Sequence, residues 1–278
     1  MRLGDSDLDL SQPQVMTIVN VTDDSFFAGS RTIDKSAIVS RVQQALEDGA
    51  TIFDVGGYSS RPGAKELSVE EEWCRVSVGL QAVRSVSASV PVSVDTFRSE
   101  VARRAVEEFG ELIINDISAG ELDSKMIDVV AQYKVPYIAM HMRGTPQTMQ
   151  SNTHYENGVV AEVCQYFERK CAELQSRGVE RIILDPGFGF AKSLEQNYEL
   201  LASLNSLCVM GYPVLAGVSR KSMIYKLLDI TPAEALNGTT ALHWEALRQG
   251  ATILRVHDTR EATQVVRIFN EYKKRLPR

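Results

Sequence analysis

Apolar residues in this chain come in short, largely continuous runs, and the runs recur eight times. They are Val15–Val19, Ile52–Val55, Val92–Val94, Leu112–Ile114, Tyr137–Met140, Ile182–Leu184, Val214–Ala216 and Ile253–Val256. Each has the length of a strand, and continuous apolarity is what a parallel strand covered on both faces requires. Between the runs the period becomes helical. Val69, Trp73, Val76, Leu80 and Val83 fall on one helix stripe, opened by a capping box at Ser68 and Glu71. Ile38, Val42, Ala45 and Leu46 form a second stripe with Gly49 as its stop, and Val160, Val163, Phe167 and Leu174 a third. Eight strands alternating with helices predict an α/β chain folded as a single-domain (β/α)8 TIM barrel, residues 14–278, with 1–13 as an N-terminal extension. No G-x-G-x-x-G follows a strand, and no Pro, Gly or Ser linker divides the chain.

The 278 residues carry a net charge of −6, so no basic surface is offered to nucleic acid or anionic lipid. No apolar run approaches the ~18 residues that cross a bilayer, and the acidic start is unlike a signal peptide. Cys74, Cys164, Cys171 and Cys208 contain no C-x-x-C, which predicts reduced structural thiols in the cytoplasm. Cys164 and Cys171 are spaced to share one buried helix face.

In such a barrel the site lies at the C-terminal strand ends. The residues at or just beyond the ends of the runs are Asn20, Gly56-Gly57, Asp95, Asn115-Asp116, His141, Asp185, Gly217 and the Arg255/His257 pair. Polar groups from six strand ends at one rim exceed what helix capping needs. Asp95, Asn115 and Asp185 suit the edge of a heterocycle bearing amino and lactam groups. Arg220, Lys221, Arg255 and His257 supply positive charge for a phosphate or carboxylate, with Lys221 at a helix start. Two long early loops, Asn20 to about Asp34 and Gly56–Gly63, have the composition of a lid.

These segments resemble dihydropteroate synthases of folate biosynthesis along the whole chain. The resemblance is carried by Asn20-Val21-Thr22 with Asp24-Ser25-Phe26, Asp54-Val55-Gly56-Gly57, Ser60-Arg61-Pro62-Gly63, Ser93-Val94-Asp95-Thr96 and Ile114-Asn115-Asp116-Ile117. It continues through Met140-His141-Met142, Asp185-Pro186-Gly187-Phe188-Gly189-Phe190, Ser219-Arg220-Lys221-Ser222 and Arg255-Val256-His257-Asp258. It implies a reaction joining p-aminobenzoate to hydroxymethyl-dihydropterin diphosphate, with loss of diphosphate. Asp95, Asn115 and Asp185 would bind the pterin edge, Lys221 its carbonyl or ring nitrogen, and Arg255 its face. Asn20, His257 and Arg255 would hold the diphosphate, with Asn20 also a ligand of Mg²⁺, and Arg61 would act from the lid. Ser222 would take the carboxylate of p-aminobenzoate, and Phe190, Phe26, Ser60 and Pro62 would wall its ring.

The sequence departs from the family pattern at Asp23, where Pro is usual, at Tyr58, where Glu is frequent, and at Ser60, where Thr is frequent. Two alternatives share the pterin-binding residues: a folate-binding domain of a corrinoid methyltransferase and a non-catalytic paralogue. The first would not need the Ser60–Gly63 or Ser219–Ser222 segments, and the second would be expected to lose Lys221, Arg255 or His257. The resemblance also implies a homodimer; Leu242, Trp244 and Leu247 suit an interface or the core equally.

Overall fold

The computed structural model describes residues 2–3, 6–22, 35–59 and 66–275. Its centre is a ring of parallel strands: β1 (Gln14–Asn20), β2 (Ile52–Gly56), β3 (Val92–Asp95), β4 (Ile113–Asp116), β5 (Tyr137–Met140), β6 (Ile182–Asp185), β7 (Leu215–Ala216) and β8 (Ile253–Val256). The pairing order is β6-β5-β4-β3-β2-β1-β8-β7, and a parallel bridge between Leu184 and Val214 closes the ring. This is the (β/α)8 barrel expected from the eight runs.

The helices are α1 (Lys35–Glu47), α2 (Val69–Val86), α3 (Ser99–Phe109), α4 (Met126–Tyr133), α5 (Val159–Ser176), α6 (Leu194–Ala202), α7 (Asn205–Cys208), α8 (Ser222–Leu228), α9 (Leu236–Arg248) and α10 (Thr259–Lys273). The three predicted stripes lie on α1, α2 and α5. Ser68 caps α2 as expected: its hydroxyl accepts from Glu71 N, and the Glu71 carboxylate accepts from Ser68 N. Cys171 is buried in α5, Cys164 is half-buried, Cys74 is exposed, and all four thiols are free. Among the described residues no helix is long and apolar enough to cross a membrane. Leu247 is core, and Leu242 and Trp244 are partly buried against it.

Side chains alternate across a strand, and here the two parities have different tasks. The outward parity, including Val15, Val19, Phe53, Val55, Val94 and Ile114, joins the inner faces of the helices in one large core. The inward parity begins with Met16, Ile52, Ile113, Ile138, Ile183, Leu215 and Ile253, one from each of seven strands. They fill the N-terminal end of the barrel as an apolar plug. Leu8, from the segment before β1, is 3% exposed and packs into the same cluster. Burial on this scale is worth roughly 1.5–3 kcal/mol per large aliphatic side chain. The plug sets the floor of the site.

Candidate active site

Two residues after the plug, the pleat turns each strand inward again, one layer nearer the C-terminal rim. Those positions are Ile18, Asp54, Asp95, Asn115, Met140, Asp185, Gly217 and Arg255, five of them polar. The next inward positions include Asn20 and His257. A largely polar layer is therefore laid directly on an apolar one: strand periodicity turns its members inward, and closure of the ring brings them together.

Arg255 ties the layer into one network. Its Nε donates to Asp54 Oδ2 and its Nη2 to Asp95 Oδ2, both at 2.6 Å. Asp54 Oδ2 also accepts from Asn115 Nδ2 at 3.1 Å. Asp54 is fully buried, Asn115 is 4% exposed and Asp185 6%. Burial pushes the Asp95 carboxyl upward, while the Arg255 charge draws it back and Asp54 repels it. Burial opposes the charge on Arg255 too, but Asp54 and Asp95 outweigh it and hold the guanidinium above its ordinary range.

The other wall comes from the loop after β6 and the segment after β7. Asp185 Oδ1 accepts from Gly187 N at 2.8 Å. Burial raises its carboxyl, against the pull of Lys221 first, then of the Gly187 N–H and the Arg255 charge. Lys221 Nζ donates to the Phe188 carbonyl and stands 4.7 Å from the Phe190 ring centroid. Burial lowers its ammonium to about 8, with Asp185 opposing. Lys221 immediately precedes α8 and Ser222 is the first residue of that helix, as expected. His257 Nδ1 lies 3.0 Å from Ser219 Oγ, which also accepts from His257 N at 3.2 Å. Asn20, half-buried, ends β1.

Two strand-end candidates, His141 and Asp116, and the basic candidate Arg220 do not join this network. His141 has the outward parity of Tyr137 and Ala139: its ring meets Tyr166 edge-on at 4.9 Å and Phe167 at 6.5 Å, on α5. It lines a separate cavity of about 340 Å³ with Arg143, Glu162 and Tyr166. Asp116 is likewise outward, accepting from Ser118 N, Ser118 Oγ, Gly120 N and Tyr137 OH to build a turn. Arg220 is a brace instead of an anion ligand. It grips Asp258 with two bonds of 2.8 Å and donates to the carbonyls of Pro232 and Ala233. Phe26, Ser60, Arg61 and Pro62, with Asp23, lie outside the described residues. Tyr58 packs edge-on against Phe97 at 5.1 Å, under the Arg98 guanidinium.

The strand-end rule passes over Asp54. It sits inside an apolar run, and its signal is parity: it follows the interior Ile52 by two, as Asn115 follows Ile113 and Asp185 follows Ile183.

Among the described residues no cluster of three His, Cys, Asp or Glu forms a metal cage. Asn20 offers a single hard amide oxygen at the rim. That donor set fits Mg²⁺, which binds through few protein ligands and keeps water and phosphate oxygens.

A family model described as pterin binding enzyme matches residues 16–257. Dihydropteroate synthase of Escherichia coli is 43% identical over 263 residues, 94% of this chain and 92% of that protein. The chain belongs to the dihydropteroate synthase family. Among solved members, the Yersinia pestis dihydropteroate synthase in complex with a sulfonamide drug superposes with a TM-score of 0.92, at 36% identity and 99% coverage of each chain. The Xanthomonas albilineans dihydropteroate synthase with 4-aminobenzoic acid gives 0.88 at 38% identity, covering 97% of this chain and 96% of that one.

Proposed function

We propose that this chain catalyses the dihydropteroate synthase reaction. It joins p-aminobenzoate to hydroxymethyl-dihydropterin diphosphate, giving dihydropteroate and diphosphate in folate biosynthesis. The observation that carries the reading is the Asp95–Arg255–Asp54–Asn115 network, facing Asp185 and Lys221, in a chain this similar to known synthases.

A pterin presents amino and ring N–H donors along one edge. Asp95, Asn115 and Asp185 supply acceptors at that edge, and the buried carboxylates regain in the complex the hydrogen bonds that desolvation denies them. Lys221 donates to the pterin carbonyl or ring nitrogen, and the Arg255 guanidinium covers the ring face. Asn20, His257 and Arg255 hold the diphosphate. Asn20 would hold Mg²⁺, which when bound would supply neutralising charge there. Ser222 receives the carboxylate of p-aminobenzoate, and Phe190 packs on its ring.

The reaction breaks the bond between the exocyclic methylene and the diphosphate oxygen, and the electron pair leaves with diphosphate. The arylamine nitrogen then bonds to the methylene carbon and gives its proton to solvent. An arylamine is unprotonated at neutral pH, so no strong general base is needed. The protein contributes leaving-group stabilisation and alignment of the two substrates.

Incubating the chain with both substrates and Mg²⁺ should yield dihydropteroate and diphosphate in equal amounts. Diphosphate release without dihydropteroate would overturn the reading in favour of hydrolysis. Removing Mg²⁺ by chelation should lower turnover and leave binding of a pterin lacking diphosphate unchanged. A homodimer is part of the same reading, and sedimentation of the full chain tests it.

A further inference from the structure

Five consecutive carbonyls, from Gly187 to Ala191, each accept a hydrogen bond from a side chain. Lys192 Nζ donates to Gly187 O and to Phe190 O, both at 3.0 Å, and Lys221 Nζ to Phe188 O. Gln150 Nε2 donates to Gly189 O at 3.2 Å, and Tyr155 OH to Ala191 O at 3.0 Å. The turn is hard to hold: Gly187, Gly189 and Ala191 all have left-handed φ, at +69°, +80° and +52°. At Gly187 the backbone runs so close to β5 that a Cβ would lie 2.1 Å from His141 O.

Lys192 spans this turn from within. It is 4% exposed, and its third contact is His141 Nδ1 at 3.1 Å. All three partners are neutral, and an ammonium has three protons to give. With Nδ1 accepting, His141 keeps its remaining proton on Nε2. Burial lowers the Lys192 ammonium to about 7, with Asp185 the anion that supports it. A nitrogen held in such a place by two carbonyls of one turn and a ring nitrogen has a reason beyond filling space.

We propose that Lys192 is a positioning residue for p-aminobenzoate: by clamping Gly187 O and Phe190 O it fixes the turn that presents the Phe190 ring to the arylamine. The inference rests on the synthase reading above. The pterin edge depends less on the clamp, because Asp95, Asn115 and Asp185 are carried by the strand ladder itself.

The test compares the full chain with Lys192→Met, which fills the space without donors, and Lys192→Arg, which restores donors. Lys192→Met should raise the KM for p-aminobenzoate about tenfold or more, with pterin affinity by calorimetry changed less than about threefold. Lys192→Arg should recover part of the loss. An active Lys192→Met chain with unchanged KM for p-aminobenzoate overturns the proposal, as does an equal loss of affinity for both substrates. Failure of both variants to fold, by circular dichroism, also overturns it and leaves a purely structural lysine. Absence of dihydropteroate from the unaltered chain would instead sink the proposed function. Calorimetry of p-aminobenzoate on the two variants then still reads the clamp.

Discussion

Arg255 Nε stands 2.6 Å from Asp54 Oδ2, a carboxylate buried inside the second strand. The contact crosses the barrel interior between strands that are not neighbours in the ring. It fixes the guanidinium from its Nε side, so that Nη2 reaches Asp95 and the plane is aimed before any substrate arrives. Asp54 also receives Asn115, so one carboxylate sets the direction of two groups assigned to the pterin.

Asp54→Ala removes that aim and leaves part of a buried ion network without its partner. We expect a loss of about 100-fold or more in kcat/KM, about 2.7 kcal/mol of transition-state stabilisation. Stability should fall by roughly 3 kcal/mol, the low end for breaking a buried pair. Steady-state kinetics and urea unfolding measure the two effects separately. Wild-type kinetics in the variant would show that Arg255 needs no aiming.

Asp185 is predicted to be needed for binding and costly to stability. Asp185→Ala should abolish pterin binding by calorimetry, and retained affinity removes the assignment. Asp185→Asn should stabilise the ligand-free chain at neutral pH by ~1–2 kcal/mol, as relief of a functional strain does. The sign follows from the raised carboxyl. Folding favours its protonated form, so its contribution is intact below the ordinary value near 3.8 and is lost as pH rises through the elevated folded value. The advantage of Asn should therefore shrink toward zero as pH falls to about 4. A difference that does not vary with pH contradicts this account.

Lys221 gives an alkaline limb. Burial brings its ammonium to about 8, so kcat/KM for the pterin diphosphate should decline above that pH as the free enzyme loses its donor. Lys221→Arg, which stays charged, should move the limb upward even if overall activity falls. A limb that stays in place in the variant assigns it to another group.

His257 is held by Ser219 through both its ring and its backbone N–H. If it serves the departing diphosphate, His257→Ala should lower kcat by about 10- to 100-fold with little change in affinity for a pterin lacking diphosphate. Weakened pterin binding with normal turnover would reverse the assignment. Ser219→Ala should show the same pattern more weakly.

Sulfonamides, as mimics of p-aminobenzoate, should compete with it and not with the pterin. Initial-rate patterns decide this, and mixed inhibition against both substrates would place the drug elsewhere.

The eight runs and their helical spacers were enough to predict the barrel, because strand length, continuous apolarity and a change of period are local properties. The runs at Tyr137–Met140 and Ile253–Val256 coincide with β5 and β8 to the residue. Asp95, Asn115, Asp185 and Arg255 were legible as strand-end polar groups for the same reason. Taking the residue after each run ignores which way it points, so His141 and Asp116 were counted although the pleat turns them toward the helices. Asp54 was missed because it interrupts a run from inside.

The order of residues thus determined the elements, the ring and the layer of acids and amides, since all follow from periods of two and of about 3.6 along the chain. Only the folded ring decided which of those groups meet. Arg255 and Asp54 are 201 positions apart in sequence, and no local pattern encodes their contact. The same holds for Lys192 and the carbonyls of its turn. A basic residue near a glycine-rich loop reads as a surface charge until closure of the barrel shuts out water and leaves backbone oxygens as its partners.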